Sequence, residues 1–174
     1  MRKGLVFILL LKGLLGAAQA QKGEKSIAAG PLISFPLGFE TGTTDFKTGL
    51  GAEIIGQYNF SEKSALLLKM TLASWGIKDG AFGYETNRLN FLTLQGGYNY
   101  QFGTSGFFIN GLVGVDIDLY DSYGSACFTL GVGRRFMVKN DRFVDVGVDL
   151  IGADAEERLN IKVVFSLFRR LAKQ

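Results

Sequence analysis

The chain has 174 residues, 47% of them hydrophobic, with 24 glycines, 19 basic and 16 acidic residues, one cysteine and no histidine. That length suits one domain with a proper core; the lone Cys127 excludes an internal disulfide framework, and the missing histidine removes the usual general base, the Ser–His triad and the commonest zinc ligand. The formal charge of +3 comes from Arg2, Lys3 and Lys12, so the remainder carries 16 residues of each sign and lacks the cationic excess that a nucleic-acid partner requires.

Residues 1–20, MRKGLVFILLLKGLLGAAQA, place Arg2 and Lys3 before an apolar run from Leu5 to Leu15 and end on the small-residue site Ala18-Gln19-Ala20. This is the pattern of a secretory signal peptide. A spanning anchor needs about 20 apolar residues, and this shorter run is interrupted by Lys12. The expectation is export, with residues 21–174 forming one domain.

After a short polar lead, eight segments alternate at period two, the signature of strands. They run Ser26 to Phe35, Thr48 to Phe60, Ser64 to Gly76, Arg88 to Phe102, Gly106 to Leu119, Ser125 to Lys139, Phe143 to Ile151 and Arg158 to Phe168. Most exceed the usual five to six residues of a soluble strand and match the roughly 9 to 11 that a tilted strand needs to cross a bilayer. The connections SEKS, GTSG and KNDR after even strands are tight, whereas PLGFETGTTDFK, IKDGAFGYETN, YDSYG and GADAEE after odd strands are mostly longer. An up-and-down barrel with short periplasmic turns and longer outer loops has this rhythm.

One face of nearly every segment is apolar or glycine. In the second strand it is Leu50, Ala52, Ile54, Gly56, Tyr58 and Phe60, opposed by Glu53, Gln57 and Asn59. In the fourth it is Leu92, Leu94, Gly96, Tyr98, Tyr100 and Phe102, opposed by a polar set of Asn90, Thr93, Gln95, Asn99 and Gln101. RFVDVGVDLIG, residues 142–152, sets Val144, Val146, Val148 and Leu150 against Phe143, Asp145, Gly147 and Asp149. A soluble sandwich would bury the valines, and a membrane barrel would turn them to lipid. Aromatic placement favours the barrel: Tyr58, Phe60, Tyr98, Tyr100, Phe102 and Phe107 all lie beside tight turns, as a girdle at the periplasmic interface would. A lipocalin-like soluble barrel is the nearest rival, but it needs an apolar interior, whereas the inward candidates here include Glu53, Gln57, Asn59, Lys69, Thr71 and Gln95.

On these features, together with the glycine-plus-aromatic pieces LQGGYNYQF and LGVGRRFMV, residues 21–174 resemble the small eight-stranded outer-membrane barrels of the OmpA/OmpX type. The resemblance implies an all-β, eight-stranded antiparallel up-and-down transmembrane barrel in the cell outer membrane. Its partners would be outer-membrane lipid and, during biogenesis, the barrel-insertion machinery. Members of that family commonly end on a terminal aromatic; here LNIKVVFSLF is followed by RRLAKQ, a departure that bears on targeting.

The residues themselves offer little chemistry. Asp116 and Asp118, or Asp145 and Asp149, share a strand face, but neighbours on one strand do not flank a substrate as paired catalytic carboxylates do. GLVGVD and GVGRRF lack the strand-to-helix setting of a phosphate loop. The lipid-modifying enzymes that share this architecture resemble one another in using serine with histidine, which makes them poor templates. The reading is therefore a monomeric, non-enzymatic barrel without cofactor or metal, its alternative a soluble exported β-protein binding a small ligand. Inward charges form a structural network, namely Glu53, Lys69, Asp116, Asp118, Arg135, Asp145, Asp149 and Lys162, because charges in a narrow lumen are tolerable only when paired. The expected pairs are Glu53 with Lys69 on a hairpin diagonal, Lys162 with Asp149, and Arg135 with Asp145. Eight strands leave just enough room for side chains to fill the interior, which predicts no wide channel. The outer loops, with Phe39, Phe82, Tyr84, Asp154, Glu156 and Glu157, are the candidate interaction surface. Two places resist the scheme: Arg134 faces lipid, where it can snorkel, and Leu67, Ala73 and Trp75 face inward, which requires a bulge or a partly greasy lumen near the outer rim.

Overall fold

The computed structural model describes residues 22–37, 46–77, 88–120, 122–138, 142–153 and 156–170. The expected signal peptide and the loop residues Phe39, Phe82, Tyr84 and Asp154 lie outside the described residues. Eight strands follow in order: β1 (Lys25–Pro36), β2 (Gly49–Asn59), β3 (Ser64–Gly76), β4 (Arg88–Phe102), β5 (Phe107–Asp118), β6 (Gly124–Val138), β7 (Arg142–Ala153) and β8 (Glu156–Arg170). Each pairs antiparallel with its neighbours in sequence, and β8 closes onto β1. The fold is the eight-stranded antiparallel up-and-down barrel that the alternation predicts, with strand ends within two residues of those expected.

Turn chemistry sets the tight end. Between β2 and β3 the amides of Phe60 and Ser61 both donate to the Ser64 carbonyl. Between β4 and β5, Gly103 and Gly106 adopt φ of 52° and 76°, a region that residues with a Cβ avoid, and the Ser105 hydroxyl donates to the Phe102 carbonyl at 2.6 Å. One outer connection departs from expectation. The alternation predicts a loop at GADAEE, but β7 continues to Ala153 and β8 resumes at Glu156. The ladder carries on through Gly152↔Glu157 and Ala153↔Glu156, because backbone pairing satisfies polar groups that a longer loop would leave to water.

The barrel is staggered. A pairing row that starts at Lys25 passes Tyr58, Leu66, Tyr98, Gly111, Leu130, Leu150 and Leu159, and returns to β1 at Phe35. One circuit thus climbs from residue 25 to residue 35, from the tight-turn end toward the outer end. Such a shear tilts the strands by roughly 35–45°, and it decides which side chains share a level of the lumen. Among the described residues the register shifts between β1 and β8, where Ile27 pairs with Phe168 and Ala28 with Ser166. Leu167, left between them, and Phe168 both face outward, as a bulge permits.

Polarity is inverted relative to a soluble protein. Leu68 is 73% exposed while the next residue, Lys69, is 3% exposed. Leu50, Val113, Leu130, Val132 and Leu167 face out, and Glu53, Thr71, Gln95, Asp149 and Asn160 face in. A continuous apolar belt of this extent would not persist against water, whereas lipid removes the cost and barrel closure leaves no unpaired edge. The fold class is that of a transmembrane barrel. Trp75 and its neighbours settle the greasy-lumen question. The β2–β3 and β3–β4 ladders run without a bulge, and Phe46, Trp75, Ile77, Leu89 and Phe91 form a buried apolar cluster inside the outer end. A smaller cluster of Ala28, Phe143 and Val164 sits toward the other end, flanked by Ile55 and Met137.

Candidate functional site

Between the two apolar clusters the lumen is filled by polar side chains at three levels. At the middle level Asp149 Oδ2 accepts from Lys162 Nζ at 2.7 Å and from Lys69 Nζ at 3.0 Å. Lys162 Nζ also lies 3.3 Å from Glu53 Oε1. Lys69 is on β3 and Asp149 on β7, so their bond spans the lumen. Above and between, Thr129 donates to Gln95 Oε1 at 2.9 Å, and Gln95 Nε2 lies 3.3 Å from Cys127 Sγ. Cys127 is a small buried residue within this polar layer.

Toward the tight turns, Arg135 grips Asp145 with two parallel bonds of 2.8 and 2.7 Å, the fork geometry that suits guanidinium and carboxylate. Its Nη2 also donates across the barrel to Gln57 Oε1 at 2.9 Å, and Gln57 in turn donates to Asn59 Oδ1 at 2.6 Å. The guanidinium stacks 3.7 Å from the Phe143 ring centroid. Toward the outer end, Arg158 is salt-bridged to Asp116 and bonded to Thr93 Oγ1 at 3.1 Å. Its cation lies 5.5 Å from the Trp75 ring and 5.3 Å from Phe91, which joins the apolar cluster to the polar lumen.

Arg135 and Asp145 are direct register partners, and Lys162 reaches Asp149 diagonally from its place opposite Gly147. The other expected pair differs. Glu53 and Lys69 do sit on neighbouring rungs, with Glu53 opposite Thr71 and Ile55 opposite Lys69, but Lys69 bonds Asp149 and Glu53 takes Lys162. A lysine stem is long enough to cross a lumen this narrow, so hairpin adjacency does not choose the partner. Asp118 falls outside the network: half-buried at the end of β5, it accepts from the Tyr120 amide at 2.8 Å and shapes the outer turn. Asn90 is a second correction. It is exposed, and Leu89 and Phe91 beside it point inward, because β4 alternates without a break and the parity of Thr93 and Gln95 excludes an even-numbered residue.

Arg158 and Glu24, both buried, are absent from the expected network. Arg158 shares its even parity with Asn160 and Lys162, a signal sufficient to place it inside. Glu24 precedes the first alternating residue, yet its carbonyl accepts from the Asn59 amide at 2.9 Å, which extends the wall by one rung.

Packing leaves little free volume. A cavity of about 20 Å³ lies between the middle and lower levels, bounded by Gln57, Lys69, Asn110, Arg135, Asp145 and Lys162, room for about one water. Several buried atoms there and above it, including Asn110 Oδ1, Asp149 Oδ1 and Arg158 Nη1, have no protein partner and are suited to bonding single water molecules. Reconstituted into planar bilayers, the protein is expected to give no steady porin-like conductance. A stable current comparable with that of a sixteen-stranded porin would contradict the filled lumen.

Outside, Tyr58, Phe60, Tyr98, Phe102 and Phe107 are exposed and Tyr100 is half-buried. They pair off along the tight-turn end: Phe60 with Tyr98 at 6.0 Å, and Tyr100 edge-on to Phe102 at 5.2 Å. The Tyr98 hydroxyl shares a 2.7 Å bond with Ser64. Arg134, exposed at the same end, lies 5.0 Å from the Phe107 ring and 5.1 Å from Phe136, so its outward direction is compatible with a boundary between hydrocarbon and headgroups.

No protein-family model matches the chain, and no curated protein matches it. Among solved structures the fold is similar to Ail, the attachment invasion locus protein of Yersinia pestis, at a TM-score of 0.58 and 14% identity over 86% of this chain and 100% of that one. Ail has also been crystallised with the heparin analogue sucrose octasulfate. Neisserial surface protein A is similar at a TM-score of 0.59 and 8% identity, over 83% of this chain and 98% of that one. The fold is thus that of the small eight-stranded barrels.

Proposed function

We propose that the protein is an integral outer-membrane barrel, monomeric and non-enzymatic, that serves the cell envelope as a structural element or presents its outer connections as an interaction surface. The observation that carries this reading is the inverted polarity combined with a lumen closed by paired charges. A wall that is apolar all round suits lipid, and an interior occupied by Arg135–Asp145, Lys69–Asp149–Lys162 and Arg158–Asp116 offers neither a route for solute nor a cleft for substrate. The absence of histidine from the chain agrees with a role outside acid–base catalysis. What remains accessible is the outer rim, where the connections 37–48 and 77–87 are the longest. Closure supports the monomeric state, since every strand edge is paired within the chain.

The test is fractionation and gel mobility. The protein is expected in the outer-membrane fraction and, once folded in detergent, to migrate differently before and after boiling. Protease added to intact cells should cut in residues 37–48 or 77–87 and leave the strands intact. A folded monomer soluble without detergent would refute the membrane reading.

A further inference from the structure

The wall of the barrel is not uniformly filled. Two adjacent pairing rows cross β1 to β5 on the lipid side: Lys25, Tyr58, Leu66, Tyr98 and Gly111 in one, and Ile27, Gly56, Leu68, Gly96 and Val113 in the next. Large residues in one row face glycine in the other at Tyr58/Gly56, Tyr98/Gly96 and Gly111/Val113. The missing side chains leave a groove of about 920 Å³, lined almost wholly by apolar atoms. The rows climb with the stagger of the barrel, so the groove starts at Lys25, on the tight-turn rim, and rises toward the middle of the wall at Val113.

Its lower end is cationic. Lys25 is exposed, lines the groove and lies over the Tyr58 ring at 5.8 Å. Lys22 is also exposed just before β1. The one acid in this stretch, Glu24, is buried. A groove that is apolar along its length and positive at the headgroup end complements one kind of molecule.

We propose that this groove holds an anionic phospholipid of the periplasmic leaflet, with an acyl chain lying over Gly56, Gly96 and Gly111 and the phosphate against Lys25. The proposal rests on the membrane reading above. A single lysine beside the membrane surface contributes about a fivefold preference for an anionic over a zwitterionic lipid, and the groove itself should hold a chain regardless of headgroup. The two parts can be separated by substitution. A Cβ on Gly111 meets nothing within 4 Å, and one on Gly96 meets Leu68 Cδ2 at 3.6 Å and the Leu67 carbonyl oxygen at 3.9 Å, both ordinary contacts, so leucine at either position fills the groove without displacing the backbone.

The experiment is native mass spectrometry of the detergent-folded protein titrated with phosphatidylglycerol or with phosphatidylcholine of the same acyl chains. The unsubstituted protein should retain phosphatidylglycerol about fivefold better. Lys25→Gln should abolish that preference while keeping residual binding of both lipids, and Gly111→Leu and Gly96→Leu should each reduce retention of both. Boiling-dependent gel mobility, read on every variant, reports the barrel independently, so loss of lipid with folding intact is separable from failure of the membrane reading. Equal retention of the two lipids by the unsubstituted protein, or unchanged retention in both leucine variants, would overturn the proposal. So would a dimer mass that Gly111→Leu removes, since a second copy would then be the occupant.

Discussion

Asp149→Asn is expected to lower the stability of the folded barrel by about 3 to 5 kcal/mol, the cost of leaving buried charge without its partner. Asp149 is fully buried and holds both Lys69 and Lys162 on one oxygen, so neutralising it leaves two lysines to share Glu53. The measurement is urea unfolding from phospholipid vesicles, followed through the single tryptophan. Trp75 suits this purpose because it packs 5.7 Å from Phe46 and 5.1 Å from Phe91 inside the outer end, away from the substituted residue's own contacts. Lys69→Met in the same background should restore much of the loss, since it removes one stranded cation and places an apolar stem in the space lined by Leu67 and Leu112. If Asp149→Asn unfolds at the urea concentration of the unsubstituted protein, the lysines are solvated and the lumen is wetter than its packing implies.

The outer wall should respond by depth. Leu130, near the centre of β6 and exposed, is expected to cost roughly 2 to 4 kcal/mol when replaced by arginine, the range for a cation at the middle of a lipid-facing wall. Leu130→Ile should be close to neutral. Val132→Arg should cost less than Leu130→Arg, because it lies two residues nearer the rim where Arg134 is already accommodated over Phe107 and Phe136. The same vesicle unfolding series reads the gradient. Equal, small effects at Leu130 and Val132 would mean that this face meets water, and the barrel would have to be assigned the other way out.

Much of the architecture was legible because strand periodicity is local. Val144, Val146, Val148 and Leu150 alternate with Phe143, Asp145, Gly147 and Asp149 whatever the rest of the chain does, and a strand has only two faces. Strand number, ends, the tight connections and the inverted polarity follow from that alternation and from turn residues such as Gly103 and Gly106. Pairs within one hairpin were also accessible: Arg135 meets Asp145 because KND joins their strands and sets the register. Parity alone was enough to place Arg158 inside, and the same rule, applied strictly, turns Asn90 out.

What the tertiary structure decided lies across the barrel. Lys69 bonding Asp149, Arg135 reaching Gln57, and Arg158 joining Asp116 each link strands that are not neighbours. Those meetings depend on the climb from Lys25 to Phe35 over one circuit, a property of closure that no single segment encodes. Consecutive ladders do the rest: Trp75 lies opposite Leu89 and Phe46 opposite Ile77, which gathers the outer apolar cluster, and the β2 to β5 pairings set Gly56, Gly96 and Gly111 along neighbouring rows as a groove. Asp118 left the charge network for the same reason: its height, at the end of β5, puts it in the outer turn beside Tyr120. Alternation along the chain determines which side a residue faces, whereas the shear of the closed barrel determines whom it meets there.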